Sequence, residues 1–303
     1  MSRTVRLLAT KGEGHFEEVE WTKPDIRDNE IEVRAIMTGV CRSDIDMMQG
    51  NFGPLPLSMQ GHEGLGQVTA VGKAVDDIAV DDYVATCGEP AYADYYNVRA
   101  REFVKVPEAA PHFILEPVAC GRNLITQELN VFLRYDARIL IRGSGFLAWI
   151  AYKTLREYNR TSEVDVIGRS NKDLWDAVGV ELKAEASGEY GIILDLKEDD
   201  IVFTGGAVLA DGCTIVLATS KKPAVTTTFE QLLWKAAKII MPSPRHENFY
   251  TAMQESVRFA EDNAENIARF WTKGYNRDKR WERAFTDGAE RKQGYSRGYI
   301  TWR

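Results

Sequence analysis

Four residues in the N-terminal part of the chain carry side chains that bind zinc in proteins: Cys41, His62, Glu63 and Glu116. Zinc takes thiolate, imidazole and carboxylate ligands, and a catalytic zinc site keeps one position open for water or substrate. Each residue also has an ordinary explanation, because an isolated cysteine is usually a small buried hydrophobe. The residue types therefore indicate zinc chemistry, but spacing alone does not decide between a metal site and separate structural roles.

A glycine-rich turn lies near the middle of the chain. The pattern Gly-x-Gly-x-x-Ala at positions 143–148 follows the strand candidate Arg138–Arg142 and precedes helical spacing over Phe146–Tyr158. The first glycine permits the tight turn, the second lets the backbone approach a pyrophosphate, and the helix N-terminus supplies free amides. This context favours a dinucleotide site over a plain turn between strand and helix. The residues predicted to contact the cofactor here are Gly143, Gly145, Phe146 and Leu147.

The residues that close the second strand of this stretch predict which dinucleotide is bound. An Asp or Glu at this place would bind the ribose 2′-hydroxyl and repel a 2′-phosphate. The chain has Gly168, Arg169 and Ser170 instead, with Lys172 close behind. Arginine suits bidentate phosphate contact, serine can donate as well, and glycine leaves room. We predict NADP(H) in preference to NAD(H); the alternative is a solvated loop with an arginine that binds nothing.

The elements that must position these residues change in type along the chain. Up to about residue 115, polar and apolar residues alternate at a strand period, as over Ile31–Met37 and Gly66–Gly72, which predicts a β-rich unit. From about residue 123, short apolar runs alternate with helical stretches, which predicts a parallel, doubly wound sheet. The strand candidates in this second stretch are Arg138–Arg142, Val164–Ile167, Tyr190–Leu196, Asp200–Phe203 and Cys213–Ala218.

A third stretch begins at about residue 245. It contains the helix candidate Asn248–Asn263 and ends in Gly298–Trp302, which has the character of a strand that returns to the first domain. This pattern indicates that one domain is inserted into another. We predict a first domain formed by residues 1–122 and 245–303, and an inserted nucleotide-binding domain formed by residues 123–244.

Composition excludes several classes of protein. The chain has 303 residues with a formal net charge of −7, and an acidic chain lacks the attraction to phosphate backbones on which nucleic-acid binders rely. No apolar run reaches the roughly 18 residues of a membrane helix, and the start carries no apolar signal core. We expect a soluble, cytoplasmic protein with no nucleic-acid or membrane partner. Its four cysteines are too few for a disulfide scaffold and are expected to be free thiols or metal ligands.

The local sequences around the zinc candidates are similar to those of a known family. They are Gly39-Val40-Cys41-Arg42-Ser43-Asp44, Gly61-His62-Glu63-Gly64, Glu116-Pro117-Val118, the glycine turn at 143–148 and Ser296-Arg297-Gly298-Tyr299. In this order they resemble the zinc-containing medium-chain alcohol dehydrogenases, and the resemblance spans essentially the whole chain. It implies an α/β protein in which a GroES-like, β-rich catalytic domain is interrupted by a doubly wound Rossmann domain.

The resemblance implies roles for the zinc candidates and their neighbour. Cys41 and His62 would be zinc ligands. Glu116 would be the third protein ligand, because the polyol-dehydrogenase-like branch has the sequence Glu-Pro at this position. Glu63 is the family's acid beside the histidine, which can bind the metal or stand next to it. Asp44 matches the residue that holds the ring of the ligating histidine in orientation.

The resemblance also implies a proton donor and two cofactor contacts. Ser43 matches the hydroxyl that hands the substrate proton away, since a hydroxyl can donate and accept at once. Many relatives have a histidine three residues later, where this chain has Asp46, so the relay beyond Ser43 stays open. Arg42 and Arg297 fall where relatives place cationic contacts to the cofactor phosphates; the alternative is that both are exposed, solvated arginines.

The chain departs from the family where a structural zinc lobe would be. That lobe needs four closely spaced cysteines, and only Cys87 is present, so we predict one catalytic zinc and no structural zinc. The predicted protein is a zinc-dependent oxidoreductase that transfers hydride between NADP(H) and a small alcohol, aldehyde or ketone. The alternatives are a polyol or sugar dehydrogenase and a cofactor-binding protein that has lost catalysis. By analogy with the family we expect a homodimer through edge strands of the Rossmann sheet, with Cys213–Ala218 as the candidate edge.

Overall fold

The structure, a computed structural model, describes residues 3–53, 56–199, 208–219 and 229–302. The chain divides into two compact units, Met1–Val118 with Met253–Arg303, and Ala119–Ala252. The second unit is thus inserted in the sequence of the first. It begins four residues before the predicted interval 123–244 and ends eight residues after it. The strand candidate at 200–203 lies outside the described residues.

The strands and helices of the described residues are numbered in chain order. The strands are β1 (Arg3–Thr10), β2 (Glu17–Lys23), β3 (Glu30–Gly39), β4 (Ser58–Met59), β5 (Gly64–Val71), β6 (Tyr83–Thr86), β7 (Tyr95–Arg99), β8 (Phe103–Val106), β9 (Ile139–Arg142), β10 (Val164–Ile167), β11 (Leu182–Lys183), β12 (Tyr190–Asp195), β13 (Leu209–Leu217), β14 (Lys238–Ile240), β15 (Trp271–Asn276) and β16 (Arg297–Thr301). The helices are α1 (Arg42–Met48), α2 (Glu116–Thr126), α3 (Leu129–Phe132), α4 (Phe146–Tyr158), α5 (Lys172–Asp176), α6 (Glu230–Trp234), α7 (Phe249–Asp262), α8 (Ala264–Phe270) and α9 (Trp281–Glu290), with a 3₁₀ turn at Pro111–Phe113.

The first unit is β-rich and is organised around β3. One sheet has the order β15-β16-β3-β5-β6-β8, with β7 also pairing with β3, and a second sheet has the order β2-β1-β4. The predicted strands over Ile31–Met37 and Gly66–Gly72 form most of β3 and β5, because their apolar residues face a shared core that includes Ile31, Val33 and Val68. The C-terminal strand β16 pairs with β3 antiparallel, as the sequence predicted for a strand that returns to this domain.

The second unit is a parallel, doubly wound sheet in the order β11-β10-β9-β12-β13-β14, which corresponds to the Rossmann order 3-2-1-4-5-6. The predicted fold class is confirmed. The apolar spacing over Phe146–Tyr158 forms α4 within the predicted limits. The core contains side chains from β9, β12 and β13, among them Leu140, Ile193 and Ile215.

One prediction about this sheet is wrong. Cys213–Ala218 is not an edge, because β13 pairs with β12 on one side and with β14 on the other. A strand buried on both faces has a continuous apolar sequence, and such a sequence does not show whether the strand lies inside the sheet or at its edge. Among the described strands the edge on this side is β14, which has the sequence Lys-Ile-Ile.

No helix within the described residues could traverse a bilayer, since none combines enough length with enough apolar character.

Candidate catalytic and cofactor sites

The first turn of α1 holds a cysteine and an acid in fixed positions. Cys41 caps the helix, and its backbone N–H donates to Asp44 Oδ2 at 2.9 Å, as in a capping box. Gly39 ends β3 immediately before this turn. A Cβ atom on Gly39 would lie 2.0 Å from Glu63 Oε2, so only glycine lets the Glu63 carboxylate approach the backbone so closely.

The register of β3 with β5 brings the next residues to the same place. Thr38 pairs with Gly64, and His62 and Glu63 directly precede β5. One ligand atom each of Cys41, His62 and Glu63 lies within 4.8 Å of the other two. Glu116, which is buried at the start of α2, does not join that group among the residues that the structure describes. Its charge nevertheless acts on His62 and raises the pKa of that ring.

Asp44 connects this cluster to a buried tyrosine. Asp44 Oδ1 lies 3.6 Å from His62 Nδ1 and accepts no hydrogen bond from the residues that the structure describes. Its other oxygen, Oδ2, accepts the hydroxyl of Tyr92 at 2.7 Å. Burial, together with the charge of Asp44, raises the pKa of Tyr92 well above its ordinary value, so the phenol remains a proton donor at neutral pH.

Burial and neighbouring charges set the protonation of Cys41 and His62. Burial raises the pKa of the Cys41 thiol, and the charge of Glu63 raises it further. Burial opposes protonation of His62, but the charge of Asp44 and the hydrogen bond with Cys41 outweigh it and raise the pKa of the imidazole. Without a cation the cluster therefore favours protonated Cys41 and His62. A divalent metal ion would reverse this preference, because metal binding releases protons from thiol and imidazole ligands.

Glu63 is already engaged by an arginine. Arg297 Nη2 donates to both carboxylate oxygens of Glu63 at 2.5 Å, and the guanidinium lies 4.8 Å from the ring centroid of Trp271. The charge of Glu63 is thus offset within the protein. The structure places Arg297, which the resemblance assigned to a cofactor phosphate, beside the zinc candidates.

The remaining predicted residues of α1 lie on its first two turns. Ser43 is half-buried and makes no hydrogen bond with the described residues. Arg42 Nε lies 3.5 Å from Asp46 Oδ1, and Asn51 donates to the same oxygen at 2.9 Å. Asp46, which replaces the relay histidine of many relatives, is therefore held in an ion pair with Arg42.

The glycine turn of the second unit has the form that its pattern predicts. Gly143 has φ +133°, which favours glycine, and a Cβ atom on Gly145 would meet nothing within 4 Å. The space over Gly145 is thus open for close approach of a ligand to the backbone. Phe146 is buried and Leu147 half-buried at the start of α4.

Gly168 lies tightly against the glycine turn, and whether it leaves room for a phosphate stays a prediction. A Cβ atom there would lie 2.1 Å from Ser144 Oγ and 2.2 Å from Ser144 Cβ, so the space is already filled. Ser144 Oγ also accepts the backbone N–H of Ser170 at 3.1 Å. Gly168 is needed for the close approach of two loops, which the sequence of either loop alone does not reveal.

Two basic residues follow this glycine and differ in their surroundings. Arg169 is exposed, and no carboxylate among the described residues neutralises it. Lys172 is exposed as well, but its ammonium donates to both oxygens of Asp176 at 2.8 and 2.9 Å, one helical turn away. Arg169 is therefore the better placed of the two to bind an anion.

Comparison with known proteins agrees with this geometry. The family model of the alcohol dehydrogenase GroES-like domain matches residues 27–108. Aldehyde reductase AdhA from Synechocystis sp. is 24% identical over 227 residues, which are 61% of this chain and 67% of that protein. Sorbitol dehydrogenase from Halalkalibacterium halodurans is 23% identical over 285 residues, 76% of this chain and 80% of that protein. The structure of S. aureus TarJ in complex with NADPH has a TM-score of 0.80 at 17% identity, covering 99% of this chain and 100% of that one.

Residues 27–108 belong to the alcohol dehydrogenase GroES-like domain family, and the chain has the fold of the medium-chain alcohol dehydrogenases. The similarity supports an oxidoreductase of the alcohol and polyol dehydrogenase type.

Two features of the chain were not found from its sequence. Tyr92 lies just before β7, and nothing in the sequence pattern there indicates a bond to Asp44, 48 residues earlier. Arg142 ends β9 and is buried beneath the glycine turn, where its Nη1 donates to Asp195 Oδ1 at 3.0 Å. A charged residue inside an apolar strand was the available signal for the second feature, because buried charges are usually paired.

Proposed function

We propose that the protein is a zinc-dependent oxidoreductase that transfers hydride between NADP(H) and an alcohol, aldehyde or ketone. One observation carries the proposal: the Cys41 thiol and the His62 imidazole converge within 4.8 Å beside the Glu63 carboxylate, and a buried Asp44 is directed at the imidazole. This donor set suits zinc, and catalytic zinc sites commonly combine such ligands with an open position.

The residues fit a zinc ion in charge as well as in type. Cys41 and His62 would be ligands, and Asp44 Oδ1 is free to accept the Nδ1 proton, which keeps Nε2 available. Because Arg297 offsets the charge of Glu63, thiolate Cys41 and carboxylate Glu116 would together balance the two positive charges of the ion. When bound, zinc supplies a Lewis acid that polarises the substrate oxygen.

The chain's own residues supply the remaining steps. The hydroxyl of Ser43, at the start of α1, would exchange the proton of the substrate oxygen with solvent. Asp46 does not extend this relay in our proposal, because Arg42 and Asn51 already engage its carboxylate.

The inserted unit would bind the dinucleotide. The positive φ of Gly143 and the open space over Gly145 support a pyrophosphate at the start of α4, and Phe146 and Leu147 supply the first helical amides. Exposed Arg169 supports NADP(H) over NAD(H), together with Ser170, while Lys172 is drawn toward Asp176. Arg42 is a further candidate contact to a cofactor phosphate.

Metal analysis combined with a cysteine variant tests the proposal. Purified protein should contain about one zinc per chain, and Cys41→Ser should lose that zinc and its turnover while it keeps NADPH binding. Cys213→Ser is the matched control, since Cys213 is buried in the sheet of the inserted unit. A wild-type protein without zinc would instead support a cofactor-binding protein that has lost catalysis.

A polyol or sugar dehydrogenase is the second candidate. Glu116-Pro117 and the similarity to sorbitol dehydrogenase over 76% of this chain favour it. A panel of polyols, alcohols and aldehydes, assayed with both cofactors, separates the two candidates by which substrate class turns over.

We also propose that the protein is a homodimer, with β14 rather than β13 at the interface. Close to this edge strand, Leu233, Trp234 and Met241 are large apolar side chains with exposures of 77%, 78% and 68%. Two copies of an edge strand can pair across a twofold axis and cover such residues. Light scattering should give the mass of a dimer, and Trp234→Lys should shift it toward the monomer. A cytoplasmic location stays a prediction from the sequence.

A further inference from the structure

We propose that Tyr92 is a positioning residue of the metal site: its hydroxyl fixes the carboxylate of Asp44, and Asp44 in turn fixes the ring of His62. The inference rests on the proposed function, because it assumes that Cys41 and His62 bind zinc. It concerns a residue outside the ligand set, whose hydroxyl acts on the site through Asp44.

Two donors converge on one oxygen of Asp44. The Tyr92 hydroxyl lies 2.7 Å from Oδ2, and the backbone N–H of Cys41 donates to the same atom at 2.9 Å. These bonds fix the plane of the carboxylate and leave Oδ1 facing His62 Nδ1 at 3.6 Å. A buried carboxylate oxygen without a donor is costly, so the arrangement favours the tautomer of His62 that carries its proton on Nδ1.

The ring of Tyr92 is held in place, so its hydroxyl oxygen stays within hydrogen-bond distance of Asp44 Oδ2 and of a second, more distant acceptor, Gly39 O at 3.0 Å. The ring contacts Phe16 and Phe285 edge to face, with centroid distances of 5.9 and 5.4 Å, and those two rings stack on each other at 4.1 Å. A Cβ atom on Gly61 would lie 2.7 Å from Tyr92 Cγ, which shows how closely the ring lies against the segment before His62.

The backbone of Tyr92 binds that same segment. Its N–H donates to Gln60 O at 3.1 Å, and the N–H of Ala91 donates to Gly61 O at 2.8 Å. Tyr92 thus fixes the approach of His62 through its main chain and the partner of His62 through its hydroxyl. Removal of the hydroxyl alone separates these two contributions.

Zinc affinity of Tyr92→Phe tests the inference. The substitution keeps the ring contacts and removes one hydroxyl, and Tyr96→Phe is the matched control. Tyr96 is also fully buried, and its hydroxyl bonds with Thr86 Oγ1 at 2.9 Å instead of with the site. Affinity is measured by competition with a chromophoric chelator, and the absorption spectrum of the cobalt-substituted protein reports the ligand geometry. Outer partners of metal ligands change affinity by roughly 10- to 100-fold, so we expect about a tenfold loss in Tyr92→Phe.

The expected pattern has three parts. Tyr92→Phe weakens zinc binding and shifts the cobalt bands, Tyr96→Phe changes neither by more than about twofold, and Tyr92→Phe has little further effect in an Asp44→Asn background. Wild-type affinity in Tyr92→Phe, an equal loss in Tyr96→Phe, or an undiminished loss in the Asp44→Asn background would each overturn the inference. Failure of the wild-type protein to bind zinc would overturn the proposed metal site itself. Thermal unfolding of the metal-free variants checks that both tyrosine variants are folded.

Discussion

Arg297 and Glu63, 234 residues apart, form a bidentate ion pair beside the zinc candidates, with both oxygens 2.5 Å from one nitrogen. Glu63 is fully buried, so neither charge can easily be left alone. We therefore expect the two candidate glutamates to have separate tasks. Glu63 stabilises Arg297 and the fold around it, whereas Glu116 is the candidate metal ligand.

Substitution of the two glutamates distinguishes these tasks. Glu63→Gln should lower the free energy of unfolding by about 3–5 kcal/mol, the usual cost of breaking a buried pair, and leave the zinc content near that of the wild type. Glu116→Gln should lose zinc with a smaller effect on stability. Urea unfolding and metal analysis of both variants measure the two effects. Equal zinc content in both variants and the wild type would remove both carboxylates from the metal site.

Breaking the buried ion pair of Arg142 and Asp195 should also lower the free energy of unfolding by a large amount. Asp195 is fully buried, and among the described residues the other acidic partner of the Arg142 guanidinium is the partly exposed Asp199. Asp195→Asn should destabilise the protein by about 3–5 kcal/mol. Glu163→Gln is the control, since Glu163 pairs with Arg138 at the surface and such pairs contribute about 0–1 kcal/mol. Similar losses in the two variants would contradict the prediction.

Asp165 should make part of the stability depend on pH. Burial would raise its pKa, but hydrogen bonds from Lys183 and Tyr190 and the charge of Arg138 outweigh burial and lower it. A carboxyl whose folded pKa is lowered stabilises the protein above its unfolded pKa of about 3.9, and this contribution is lost as pH falls through the folded value.

The corresponding variant is Asp165→Asn. It should cost about 1.5–3 kcal/mol at pH 7, the range for hydrogen bonds to a charged group, and the difference from wild type should shrink below about pH 4. Urea unfolding at several pH values gives the curve. A difference that stays constant down to pH 3 would show that the charge of Asp165 is not the cause.

The sequence predicts the local elements better than the contacts between them. The strand period of β3 and the helical spacing of α4 are properties of short segments, and the structure reproduces both. The sequence does not show that β14, and not β13, is the edge of the Rossmann sheet. Burial on both faces gives β13 an apolar sequence whatever its neighbours are. The bond from Tyr92 to Asp44 and the pair of Glu63 with Arg297 join distant segments, and no local pattern encodes such a pairing.

The same limit changes the test of cofactor choice. The double substitution Gly168→Asp with Arg169→Ala would be the obvious way to favour NADH, because Asp adds an acceptor for the ribose hydroxyl and Ala removes the phosphate contact. The structure predicts that Gly168→Asp fails for a steric reason, since its Cβ would lie 2.1 Å from Ser144 Oγ. We expect this variant to lose affinity for both cofactors and to be less stable than the wild type.

Arg169→Ala is the cleaner test, because Arg169 is exposed and its removal leaves the two loops in contact. A charge-assisted hydrogen bond contributes about 1.5–3 kcal/mol, so NADPH should bind roughly 10- to 100-fold more weakly. NADH lacks the 2′-phosphate and should change by less than about threefold. Lys172→Ala is the matched control, since Lys172 is equally basic but paired with Asp176, and it should affect NADPH far less. Fluorescence titration of both cofactors decides the point: equal affinity of the wild type for NADH and NADPH would refute the proposed preference.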